Sequence, residues 1–221
     1  MPCYSLRLFR DYFGAEAKTE EMIPASNRVI YVKLGSASIQ SNKISASLPS
    51  NAALFSPEPL RIYSSSQGAE LLRYELVKTG EPKNCHTSEK VTTELIHDAE
   101  LELDAGENYL MRCDRVDLPA GGIAYTHTHQ GPGTRYLLEG GFNVETNGNV
   151  FNLSPGEAWF EAGPQPVLAY APPDRVGQFL RVMILPRELK GKSSITYVKP
   201  EDTTKPKKQS YTIFVDEFIT T

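Results

Sequence analysis

The chain has 221 residues, with 23 Lys and Arg against 27 Asp and Glu for a net charge of −4, and it is 40% hydrophobic and 23% charged. That balance suits a globular protein with a sizeable core, and without a basic stripe it lacks the electrostatic footprint of a nucleic-acid binder. No run of 18 apolar residues offers a membrane span, the first thirty residues carry charges where a signal peptide would be apolar, and Cys3, Cys85 and Cys113 form no CxxC pair, so a cytoplasmic protein with reduced thiols is expected.

From the N-terminus onward, short alternating runs punctuated by Gly, Pro, Ser and Asn predict an all-β chain. RVIYVKLGSASIQ from Arg28 and LLRYELV at 71–77 read as strands. The stretch 80–108, GEPKNCHTSEKVTTELIHDAELELDAGEN, is polar and acidic and reads as a linker, in which VTTELIHDAEL forms a short helix or bridging strands. A second series follows. It has a strand-like segment carrying His127 and His129, a Gly-rich loop, a β-type run at 135–139, a turn at Gly140 and Gly141, and another turn at Ser154, Pro155 and Gly156. After Pro186 come ITYV, the loop PEDTTKPKKQ and a last strand, SYTIFVDEFI, expected to pair with a barrel or with another subunit.

The two series are copies of one another. Setting Gly35 on Gly140 places Ile39 on Val144, Asn42 on Asn147, Leu48 on Leu153 and Phe55 on Phe160 without a gap, and LLRYELV then matches FLRVMIL at 179–185 after a short insertion. IPAS at Ile23 matches LPAG at Leu118. The second copy alone carries IAYTHTHQGPGT, so chemistry belonging to His127 and His129 is confined to it. Arg135 and Arg181 could bind an anionic substrate, because a guanidinium matches a carboxylate bidentately. Arg28 and Arg73 hold the equivalent places in the copy without histidines, which favours a structural or interface role for all four.

His127 and His129 sit one residue apart on a strand-like segment, so the two-residue side-chain period puts both imidazoles on one face. That is a metal-ligand arrangement; the alternative is a histidine pair satisfied by hydrogen bonds. Together with Gly122, Gly140, Pro155 and Gly156, the HxH resembles the two motifs of the cupin superfamily. The resemblance implies two tandem cupin-type double-stranded β-helix (jelly-roll) barrels. The expected boundaries are an N-terminal barrel at 1–80 without the metal motif, a linker at 81–108, a C-terminal barrel at 109–190, and a tail strand at 191–221. Where the family places a glutamate ligand this chain has Gly133 and Thr134, and near the last histidine it has Pro166.

The resemblance further implies one divalent metal (Fe, Mn, Ni or Zn) held by His127 and His129, with Glu161 of WFEAG chosen as third ligand; an exposed turn carboxylate is the alternative for Glu161. Two His and one carboxylate would form the facial triad of non-haem iron proteins. The expected function is a metal-dependent enzyme, dioxygenase-like or else an isomerase or lyase, acting on a small organic molecule. The competing reading is a non-catalytic ligand-binding or structural bicupin with a decayed site. Tyr125, Arg135 and Trp159 are the candidate substrate contacts, with core packing the alternative for Tyr125 and Trp159. The partners expected are a small molecule and a second copy in a homodimer, with no nucleic acid and no membrane.

Overall fold

A computed structural model of the protein describes residues 3–221, which form two compact units divided between Ala105 and Gly106. In the first unit β1 (Cys3–Phe13), β2 (Asn27–Ser41), β3 (Ser45–Pro49), β4 (Ala52–Phe55), β5 (Leu60–Lys78) and β6 (Val91–Glu102) are joined in the order β3-β2-β5-β1-β6, with β4 also on β2. The second unit has β7 (Asn108–Leu118), β8 (Ile123–His129), β9 (Gly133–Gly140), β10 (Phe142–Thr146), β11 (Asn149–Leu153), β12 (Ala158–Glu161), β13 (Val167–Tyr170), β14 (Gly177–Pro186), β15 (Ile195–Tyr197) and β16 (Ser210–Thr220). Its two sheets run β11-β10-β13-β8-β15 and β12-β9-β14-β7-β16. The all-β expectation holds. Among the described residues the helical elements are two single 3-10 turns, Arg187–Leu189 and Pro200–Thr203, and no helix is long and apolar enough to cross a membrane.

The duplication is visible strand by strand. β6-β1-β5-β2 in the first unit has the same order as β16-β7-β14-β9 in the second, and the long β2 spans what β9 and β10 cover together. Gly35 and Gly140 mark the same bend, at φ of 74° and 82°, where a β-carbon would lie 2.2 Å from the Gly68 carbonyl oxygen and 1.9 Å from that of Val176. Only glycine satisfies both the positive φ and the close approach. Each unit closes on its own apolar cluster: Ile30, Ile39, Leu60 and Ile62 in the first, Phe142, Trp159, Val167 and Phe179 in the second.

Two expected boundaries need correction. The stretch expected as linker contains β6, which pairs with β1 over its whole length and belongs to the first unit. Its polar side chains occupy the exposed alternate positions of a half-buried edge strand, a pattern that composition alone reads as linker. The tail likewise belongs to the second unit: β15 pairs with β8, and β16 pairs with β7. Where the second unit has β8, the first has only isolated bridges, Lys18 with Tyr63 and Ile23 with Leu60, among the described residues.

Gly148 also has a positive φ, 74°, but nothing within 4 Å of its would-be β-carbon. Gly148→Ala should therefore cost about 1 kcal/mol of left-handed strain, and Gly140→Ala a further 1–3 kcal/mol, roughly, for overpacking. Urea unfolding followed by Trp159 fluorescence measures the difference; equal losses would refute the close approach at Gly140.

Candidate functional site

The site is assembled from β8, β9, β12 and β14. β8 pairs with β13 at His127↔Val167 and with β15 at His127↔Tyr197 and His129↔Ile195, and its alternation turns both imidazoles into the unit, 6% and 5% exposed. Glu161 enters from β12, whose register on β9 sets it directly opposite Gly133. A β-carbon at Gly133 would stand 2.7 Å from both Met183 Cγ and the Val182 carbonyl oxygen. No side chain fits at that position, and a carboxylate arrives from the neighbouring strand instead.

The three side chains meet. His127 Nε2 and His129 Nε2 are 3.2 Å apart, and His129 Nε2 is 2.8 Å from Glu161 Oε2. Arg135, 1% exposed, places Nη2 2.8 Å from the same carboxylate oxygen and donates through Nη1 to the backbone carbonyls of Gly133 and Glu161. Trp159 donates its indole N–H to Glu161 Oε1 at 2.8 Å, while its ring packs against Phe142 and Phe179. Arg181 is held by Asp114 at 2.6 and 3.0 Å. A cavity of about 30 Å³ lies among His127, His129, Glu161, Arg135 and Arg181. It has room for one or two waters or an ion.

The charges follow from these contacts. Burial pushes the Glu161 carboxyl up, but Arg135, with help from His129 and Trp159, overrides it and holds the group well below the usual carboxylate range. Burial and the neighbouring Arg135 push His129 down to about 3, and burial lowers His127 against its bond to the Tyr125 carbonyl. Both histidines are therefore neutral near pH 7 and their partners assign their protons. The Tyr125 carbonyl, 2.7 Å from His127 Nδ1, can only accept, so that nitrogen carries the proton and Nε2 presents a lone pair. His129 Nε2 faces the His127 lone pair and the Glu161 carboxylate, both acceptors, so it carries the proton; its Nδ1 is buried without a partner.

Whether these residues suit a metal can be tested on the same distances. Donors bound at about 2.1 Å and at right angles stand about 3 Å apart, which matches the 3.2 and 2.8 Å edges. His127 has the outer hydrogen bond that fixes a metal-binding tautomer. His129 would have to move its proton to Nδ1, where an unmatched buried N–H costs about 1–3 kcal/mol. Among the described residues no group of three His, Cys, Asp or Glu side chains is placed to hold a metal ion; here the donors are closed onto one another at hydrogen-bond length. Two imidazoles and a carboxylate are donor types that suit a divalent cation, and these contacts would have to open for them to bind one.

The other sequence candidates fall around this centre. Arg135 and Trp159, expected as substrate contacts, both bond the Glu161 carboxylate. Tyr125 serves through its carbonyl, and its ring lies 4.8 Å from Lys205 Nζ. His86 and His97 belong to the first unit. The sequence reading missed Asp114, although a charge amid the alternating apolar positions of MRCDRVDL was a readable signal of a buried pair. It also missed the first unit's counterpart, in which Arg73 bonds Asp11 and Glu75 at 2.7 Å each and Arg28 bonds Glu75 at 2.7 Å. Arg28 and Arg73 are completely buried, which gives this arginine pair the structural role expected of it.

No protein-family model matches the chain, and no curated protein matches it in sequence. Solved structures do match in shape. Oxalate decarboxylase from Bacillus subtilis at pH 4.6 superposes with a TM-score of 0.66 at 13% identity, over 93% of this chain and 72% of that one. A study of the Mn(II) centres of the same enzyme gives 0.67 at 12%, over 91% and 74%. AerE from Microcystis aeruginosa gives 0.61 at 12%, over 84% and 94%. The units are cupin-type barrels. The chain carries two such units, the number found in a bicupin.

An unfolded histidine binds its proton near 6.5, whereas His129 in the folded chain stays neutral down to about 3. Between these values the unfolded chain holds more protons, so stability falls as the pH is lowered through that window. Glu161 acts in the same sense, with its contribution lost only below the ordinary carboxylate range. In chelator-treated protein, urea unfolding from pH 7 to 4.5 should show a steeper loss for the native chain than for His129→Asn; parallel slopes would contradict the assignment.

Proposed function

We propose that the second barrel is a metal-dependent site for a small organic acid, with His127, His129 and Glu161 as the ligands of one divalent cation. The observation that carries this reading is the convergence of the three donors, with the His127 lone pair already fixed by the Tyr125 carbonyl. His127, His129 and Glu161 would hold the cation, which would supply Lewis acidity to a substrate oxygen. Arg135 and Trp159 keep Glu161 ionised and oriented. Apolar neighbours such as Phe142, Val167 and Phe179 keep bulk water out.

Charge balance supports an acid as substrate. Beside the histidines, Arg135 pairs with Glu161 and Arg181 with Asp114, so the guanidiniums and carboxylates there already cancel. A divalent cation adds charge that only an anionic ligand offsets. Within this class the reaction proposed is oxygenation of the non-haem-iron type, with isomerase or lyase chemistry as the alternative. The Mn(II) centres of the Bacillus subtilis enzyme are a further support for a metal in this fold. Manganese, nickel and zinc therefore stand beside iron as candidates. We place the protein in the cytoplasm, where its unpaired cysteines stay reduced, as a homodimer pairing through the edge strand β16.

A second reading, a ligand-binding barrel without metal, is favoured by the Arg135–Glu161 ion pair, which already satisfies the carboxylate without a cation. Elemental analysis of protein purified without a histidine tag separates the two. Near one Fe, Mn, Ni or Zn per chain, lost in the His127→Ala/His129→Ala variant, is the expected result. No metal in either protein, even after incubation with each ion, would leave the second reading.

A further inference from the structure

The larger cavity of the second unit, of about 350 Å³, lies outside the histidine site, between β14, β16 and the segment 191–209. It shares Arg181, Ile195, Gln209 and Tyr211 with the small cavity around His127 and Glu161, so the two adjoin. The segment over it is tied down locally. β15 pairs with the histidine strand, Lys205 bonds Asp202 at 2.6 Å and lies over Tyr125, and Lys207 bonds the Asp202 and Thr203 carbonyls and lies 4.7 Å from the centre of the Tyr197 ring.

The lining has a definite chemistry. Tyr197, Tyr211, Ile195 and Ile213 give apolar and aromatic walls. Arg112 is spent on Asp216, and Arg181 on Asp114. Lys192 and Lys207 also face the cavity, and among the described residues neither has a carboxylate within ion-pair distance. The unbalanced charge is positive. Gln209 lines both cavities, and its Oε1 is out of solvent without a partner. An acceptor in that position is matched by a ligand hydroxyl.

We propose that this cavity is the ligand chamber of the second barrel and takes a small aromatic carboxylic acid bearing a hydroxyl group, with its carboxylate toward Lys207, its ring between the tyrosines and its hydroxyl on Gln209. The volume falls in the range of small-molecule sites. The inference deepens the metal reading by naming the substrate class, and it rests on that reading only for what happens after binding. The segment over the cavity carries β15, a strand with no counterpart in the first unit among the described residues.

The test is calorimetric titration of the full chain, both chelator-treated and metal-loaded, with 3-hydroxybenzoate, benzoate and phenol. Saturable one-to-one binding of 3-hydroxybenzoate is expected, weakened at least tenfold by Ser193→Phe, which fills the chamber from its exposed rim. Lys207→Met should weaken both carboxylates at least fivefold and leave phenol unchanged, and Gln209→Leu should abolish the preference for 3-hydroxybenzoate over benzoate. No binding of any of the three to either form, or binding indifferent to both Ser193→Phe and Lys207→Met, overturns the chamber. Binding by chelator-treated protein that never retains a metal would sustain the chamber while removing the metal reading, and a metal-loaded protein that binds none of the acids would do the reverse.

Discussion

The structure around the site depends on one buried carboxylate. Glu161 is buried away from bulk water, and an unpaired charge in such surroundings would neutralise or disrupt the fold. Arg135, Trp159 and His129 hold it in place of water. Each of these partners is thereby positioned: the guanidinium spans β9 and β12, the indole is locked against Phe142 and Phe179, and the imidazole is drawn toward its neighbour. Strand alternation brings the two imidazoles to one face, and the carboxylate holds His129 there.

The first unit shows what the same barrel does without histidines. There Arg28 and Arg73 are buried against Asp11 and Glu75, but Glu75 stands on the central strand β5 and Ser56 occupies the place that Glu161 takes in the second copy. Met183 correspondingly replaces Glu75. Moving one carboxylate between strands turns a self-contained ion cluster into one that faces two imidazoles and a cavity. The duplicated arginines are then framework in both copies, and the added strand β8 with its C-terminal cover, β15, distinguishes the second.

Much of this was legible in the sequence. The Gly35 and Gly140 pair fixed the repeat because no other residue tolerates that bend, and the HxH spacing placed both imidazoles on one face. Glu161 was found by its position in WFEAG, and register explains the choice: it sits opposite Gly133, where the resemblance puts a ligand and the backbone leaves no room for one. β6 was misread because its outward positions are Thr, Glu and Asp, and composition averages over the two faces of a strand. The larger cavity was invisible because 200–209 reads as a polar loop, and only the folded chain shows Lys207, Gln209 and Tyr211 gathered on it. Tyr125 and Trp159 were expected as substrate contacts, yet one acts through its carbonyl on His127 and the other through its N–H on Glu161, choices that depend on distances of a few tenths of an ångström.

The central claim is that this internal network is a metal-ligand set in waiting, with one histidine already in the binding tautomer and the other one proton shift away. Long-range proton–nitrogen NMR of the four histidines, recorded as one equivalent of Zn²⁺ is added to chelator-treated protein, tests it directly. The account predicts that His127 keeps its proton on Nδ1 throughout, while His129 passes from the Nε2–H to the Nδ1–H form as zinc binds. If neither ring changes, or if His127 starts with its proton on Nε2, the network is a closed hydrogen-bonded core and the metal-centred account is wrong.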